Sequence, residues 1–219
     1  MRKRAVGVIV DKLVVKTAVK TVLIIVGILV ILFAVVNFGF PQHMATATES
    51  IGNYALAVKY ADLRYKYTKK VEDLARCFDD SVLLGDDKII IEYGEKLISH
   101  EGYEALCDEK NEEFSYVSTY DYDIWVKAKI CVSVYNTGER GAAILRAQEY
   151  NGKTSFPYGN PLMSLAMQIF KKKDAESAKA VLDVLQDLQK DLERVTEADE
   201  DDKVCLQQII EMMTALAGK

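Results

Sequence analysis

The chain is poor in the groups that most enzymes use. Its 219 residues contain two histidines, His43 and His100, and there is no HExxH, GxxxxGKS/T, GxSxG or EF-hand loop. His100 and Cys107 are the nearest approach to a nucleophile and its base, and one turn histidine near one helical cysteine does not make a catalytic pair. The chain is therefore read as a non-enzyme, with no cofactor and no metal. The four cysteines, Cys77, Cys107, Cys131 and Cys205, show no CxxC pairing and fall on apolar helical faces. Buried free thiols are the simpler reading, with disulfides the alternative. No N-x-S/T sequon occurs, which disfavours a glycosylated ectodomain. Prolines number three, and no stretch alternates with period two, so essentially no sheet is expected.

What is abundant is apolar and helical. Residues 21–40, TVLIIVGILVILFAVVNFGF, carry no charged side chain and are followed at once by Pro41. Twenty helical residues span about 30 Å, the thickness of a bilayer's hydrocarbon core. Arg2, Lys3, Arg4, Lys12, Lys16 and Lys20 precede the run with only Asp11 against them. The remaining chain holds 22 Lys and Arg against 32 Asp and Glu. Cationic flanks stay on the cytoplasmic side, so the expected topology is N-terminus inside and the acidic part outside. That acidity disfavours a nucleic-acid partner.

The division that follows is a basic cytoplasmic or interfacial segment at 1–20, a transmembrane helix at 21–40, a linker at 41–50 and an extracytoplasmic helical domain at 51–219. Lys12, Lys16 and Lys20 edge the first segment at intervals of four, as in a helix lying on the inner leaflet. A second reading remains open: Ala45-Thr46-Ala47 offers small residues at the −3 and −1 positions of a signal-peptidase site, which would release a secreted binding protein after Ala47. Both readings place the domain outside, as a cell-membrane protein or a secreted one.

Beyond residue 48 the pattern is helical throughout. Ile51, Tyr54, Val58, Ala61 and Tyr65 step by three and four. A second run ends at Gly85, Asp86 or Asp87 caps a third, and residues 116–123 read as a connector. The acidic residues 197–202 would load the N-terminus of the last helix. Small residues recur in the first helix of successive helix pairs, at Gly94, Cys131 and Ala166, with Ala143, Ala147 and Ala178 in the second helices. A small side chain at a crossing lets two backbones approach while larger neighbours fill the space between pairs.

This spacing resembles the tetratricopeptide repeat, a helical hairpin of about 34 residues, over roughly residues 88–190. The turn proline of that family is absent and the intervals are irregular, so a generic hairpin array or compact bundle is the alternative. The fold expected is all-α, a transmembrane helix followed by a tetratricopeptide-like array. The resemblance implies a concave groove lined by first helices, at Trp125, Ala128, Val132, Tyr135 and Asn136, at Asn160, Met163, Met167, Phe170 and Lys171, and at Lys88, Ile91, Glu95 and Ile98. Such a groove suits an extended peptide or partner helix, making the chain a scaffold and subunit of an envelope complex. Trp125 and Phe170 packing between helices is the plainer alternative, and Tyr116, Tyr120, Tyr122 with Trp125 as a sugar platform is a third.

Overall fold

The computed structural model describes residues 2–114, 121–152, 155–194 and 199–218. Among these residues all regular structure is helical, as the lack of period-two alternation requires. The chain opens with α1 (Arg2–Gly39), within which Val14–Val36 has a mean hydropathy of 3.0 and no buried residues. Its 23 residues reach about 35 Å, so α1 is long and apolar enough to cross a membrane. The basic stretch before the apolar run continues into the same helix. Nothing between residues 5 and 20 breaks the backbone hydrogen-bond ladder. Lys16 and Lys20 are exposed on it.

Residues 41–50, expected as a linker, instead form α2 (Pro41–Ser50). Pro41 occupies the first helical turn, where a missing N–H costs nothing, so it turns the chain at Phe40 without stopping helix formation. The Thr- and Ser-rich sequence is held helical by hydroxyls bonding back to preceding carbonyls. Thr46 Oγ1 reaches Gln42 at 3.2 Å, Thr48 Oγ1 reaches Met44 at 2.8 Å, and Ser50 Oγ reaches Ala47 at 2.8 Å. The helix α2 packs along α3 (Tyr54–Thr68), with Ala45 and Thr48 buried.

Antiparallel helices follow: α4 (Val71–Leu84), α5 (Asp87–Ile98), α6 (Tyr103–Glu113), α7 (Tyr122–Asn136), α8 (Arg140–Asn151), α9 (Pro161–Lys172), α10 (Ala175–Glu193) and α11 (Glu200–Ala217). The starts are set by side-chain caps. Asp86 Oδ1 accepts from Lys88 N at 3.1 Å, Asp121 Oδ1 from Ile124 N at 3.1 Å, and Asn160 Oδ1 from Met163 N at 2.9 Å. Of the acidic residues expected to load the last helix, Glu200, Asp201 and Asp202 do so. Glu197 lies outside the described residues, as do Tyr116 and Tyr120 of the expected connector.

Three helices end on a residue in the left-handed conformation. Gly85 closes α4 at φ 74°, a left-handed conformation open to glycine. Lys69 and Lys173 close α3 and α9 at φ 55°, where a Cβ is penalised. Lys173→Gly should therefore raise stability by about 1 kcal/mol, read as a higher urea midpoint at unchanged slope.

One continuous core links the pairs. First helices stack in order, α5 on α7 and α7 on α9, while α4 covers the other side of α5, α8 lies against both α7 and α9, and α11 closes the end against α10 and α9. Gly94 of α5 faces this crossing. A Cβ on it would lie 2.6 Å from Cγ1 and 2.7 Å from Cδ1 of Ile130, and 3.0 Å from the Phe78 ring. Cys131, Ala143, Ala147, Ala166 and Ala178 are all fully buried. The recurring small residues thus sit inside the stack.

Candidate functional site

The residues expected to line a groove separate into two groups. Tyr135, Asn160 and Met163 are buried, so their expected placement on an open face is corrected. Asn160 is spent as the α9 cap, its side-chain amide also donating to Pro157 O at 2.7 Å. Trp125 is half-buried, stacked on Tyr122 with centroids 5.6 Å apart and meeting Phe78 edge-on at 5.4 Å. It packs between helices. Tyr120 and Tyr116, which would have joined it in a sugar platform, lie outside the described residues.

Of the fourteen residues at those offsets six are exposed, Lys88 and Glu95 on α5 and Asn136, Met167, Phe170 and Lys171 on α7 and α9, and the last four adjoin one another. Met167 is 50% and Phe170 45% exposed, large apolar groups on α9 with a basic end at Lys171 and Lys172. Asn136 bridges three elements, its Nδ2 donating to Asp87 Oδ1 at 3.1 Å and its Oδ1 accepting from Gln168 Nε2 at 2.7 Å. The face is therefore a fixed one, made where the ends of α5, α7 and α9 meet.

Tyr135 supports that face from below. Its hydroxyl donates to Asp174 Oδ2 at 2.7 Å, which also accepts from Ser177 Oγ at 2.7 Å and pairs with Arg140 Nε at 3.3 Å. Burial alone would raise the Asp174 pKa, but Ser177, Tyr135 and Arg140 together hold it below the usual carboxylate value. Tyr135→Phe should cost about 1–2 kcal/mol, because one charge-assisted hydrogen bond is lost while Ser177 and Arg140 remain. A urea titration of the variant measures it.

His100, in the turn between α5 and α6, is held by two backbone groups. His100 Nε2 lies 3.2 Å from the Lys69 carbonyl and Nδ1 accepts from Gly102 N at 3.0 Å, an arrangement that assigns the proton to Nε2. Both ring nitrogens are thereby used in joining two turns. Cys107, beside it in an acidic cleft of α5, α6 and α7, is pushed up to about 11, chiefly by burial. Burial likewise raises Cys131 to about 12 and drives Cys77 higher still. All four cysteines are free, and the buried thiols of Cys77, Cys107 and Cys131, held this far above neutrality, stay protonated. Among the described residues no three His, Cys, Asp or Glu groups are placed to hold a metal ion.

A second polar site leaves little trace in the sequence. Between α2, α4 and α6 lies a cleft of about 510 Å³. Arg76 of α4 reaches across it to α2, with Nε 2.5 Å from Glu49 Oε1 and Nη2 2.8 Å from Thr46 Oγ1. Asp79 accepts from the Tyr122 hydroxyl at 3.0 Å, yet burial lifts it to about 6. Asp80 is 3% exposed and is lifted to about 7, first by burial and then by the facing Glu49 carboxylate. Its Oδ2 has no hydrogen-bond donor. The legible signal was positional: Asp73 and Asp80 are seven residues apart on the stripe that also carries Leu74, Cys77, Phe78 and Ser81. Of the two, Asp73 is ion-paired with the Arg64 guanidinium at 2.7 Å and accepts a hydrogen bond from the Thr68 hydroxyl. No protein-family model matches the chain, and no curated protein or solved structure matches it.

Proposed function

We propose that this protein is a single-span membrane-anchored scaffold that presents a tetratricopeptide-like helical stack outside the cytoplasm to a protein partner. The observation that carries the reading is α1: an apolar segment of 23 residues with nothing covering it, leading through Pro41 straight into the packed stack. Leaving such a surface in water is unfavourable by about 25 cal/mol per Å², and a bilayer removes that cost. The cationic residues ahead of the apolar run favour an N-terminus inside.

Anchoring is favoured over release after Ala47 by the state of that segment. A peptidase needs its substrate extended, whereas residues 45–48 are helical, and Arg76 ties Thr46 and Glu49 to α4. Binding is favoured over catalysis by what the polar groups already do: His100 is a strut and the buried thiols are protonated. The contact surface is the exposed set Asn136, Met167, Phe170 and Lys171, where a large apolar pair meets polar and basic neighbours.

Photocrosslinking in intact cells tests this. A benzophenone side chain at position 167 or 170 should give discrete adducts with one membrane or envelope protein, and the same group at exposed Glu104 should not. Identical adducts from all three positions, or none from 167 and 170, would overturn the assignment of the surface.

A further inference from the structure

The cleft between α2, α4 and α6 is a built polar site with one group left over. Its lining carries five carboxylates, Glu49, Glu72, Asp79, Asp80 and Glu109, against Arg76 and Lys110. Arg76 is committed to Glu49 and Thr46, and the Tyr122 hydroxyl is committed to Asp79. Asp80 has neither: it is 3% exposed, its Oδ2 accepts from nothing, and the group facing it is another acceptor, the Glu49 carboxylate. A buried carboxylate oxygen without a donor is costly, and the cost is removed by whatever brings a donor and a positive charge. Beside the acids the cleft offers apolar surface from Leu83, 61% exposed, and the half-buried Tyr54, over the buried Ala75 and Leu106.

We propose that this cleft receives the cationic side chain of a protein partner's lysine or arginine, its nitrogen donating to Asp80 Oδ2 and Glu49 while its methylene stem lies on Leu83 and Tyr54. An organic cation is favoured over a metal because it brings directional donors and an apolar stem to match the mixed lining. No three carboxylates among the described residues are placed to hold a metal ion. The site lies on α2, α4 and α6, elements distinct from the Met167 and Phe170 face, so it stands or fails independently of that surface.

The test uses the full chain in detergent micelles and a blocked pentapeptide, acetyl-Ala-Leu-Lys-Leu-Ala-amide, with its norleucine analogue as the uncharged counterpart. Calorimetric titration should show saturable binding of the lysine peptide and affinity lower by about tenfold or more for the analogue. Asp80→Asn and Glu49→Gln should each weaken the lysine peptide by about tenfold, while Glu104→Gln, which removes an equal charge from the other acidic cleft, should change it less than about twofold. Should Asp80→Asn fail to fold by circular dichroism, Glu49→Gln decides alone. Equal affinity for both peptides, no effect of Glu49→Gln, or an equal loss in Glu104→Gln overturns the proposal. Saturable calcium binding that disappears in Glu49→Gln, without lysine-peptide binding, overturns it in favour of a metal site.

Discussion

Gly94→Val is expected to destabilise the helical stack severely. The new Cβ alone would stand 2.6 Å from Ile130 Cγ1 and 3.0 Å from the Phe78 ring. Ile130 and Phe78 are both fully buried, so neither has solvent to move into. Overpacking of a close-packed interior costs about 1–3 kcal/mol for small insertions, and a branched side chain at this crossing adds methyl groups on both flanks. Against a marginal domain stability of about 5–15 kcal/mol, a loss of more than about 4 kcal/mol is expected. Gly94→Ala should lose less, about 1–2 kcal/mol, because greater helix propensity offsets part of the clash. The only tryptophan is a convenient probe, since Trp125 packs edge-on against Phe78 beside the crossing. If the clash is the cause, Gly94→Ala with Ile130→Val should recover part of the loss, and the double-mutant cycle should show coupling. Additive losses would place the cost elsewhere.

The second large effect concerns pH, and its sign is the reverse of ordinary acid denaturation. Asp80 in the folded chain titrates near 7 and Asp79 near 6, both above the usual carboxylate value of 3.8. A raised folded-state pKa means that the native state holds the proton more tightly. The associated stability is fully present below about pH 4 and is lost as pH rises through 6 and 7. Between pH 5 and 8 the wild-type chain should therefore weaken. Asp80→Asn removes the buried charge and supplies an amide donor toward Glu49. It should gain on the order of 2 kcal/mol at pH 8, with little gain at pH 5. Urea titrations at the two pH values, followed by Trp125 fluorescence, give the comparison. A gain of the same size at both would show that deprotonation of Asp80 is not what destabilises the fold. Asp174 behaves oppositely and in a lower window, since its lowered pKa contributes stability that disappears only as pH falls below about 4.

A tension follows between stability and recognition. The oxygen that weakens the free protein at neutral pH is the one placed to accept a partner's cation. Asp80→Asn should strengthen the fold and weaken lysine-peptide binding together, as expected where a site keeps an unsatisfied group for its ligand.

The helical reading rested on signals that are local and physical. Steps of three and four from Tyr54 to Val82, the capping Asp86, the stop at Gly85 and the small residues at 94, 131 and 166 all depend on neighbouring residues or a single crossing, and each is visible in one dimension. Ile51, expected on the same face, instead lies in the turn between α2 and α3 and is 76% exposed. Pro41 misled because one residue serves two purposes: it ends the helix behind it and opens the next. The threonines after it looked like a linker because their hydroxyl back-bonds, which keep α2 helical, leave no periodic apolar trace. Periodicity also fails to distinguish an outer face from an inner one when both sides of a helix are covered. Tyr135, Asn160 and Met163 lie at repeat offsets that suit a groove, yet α7 and α9 are packed between neighbours and a cap there is spent on the backbone. The Asp80 cleft needed three helices, 49, 80 and 109 in sequence, to meet.

The most direct test of the account is the state of the full chain in membranes. Membranes from cells expressing it should retain the 24.6 kDa chain after extraction with alkaline carbonate, and N-terminal sequencing of the retained protein should show no start at Thr48. A soluble product beginning at Thr48 as the dominant form would contradict it, since α1 would then be a discarded leader and α2 an unfolded cleavage segment.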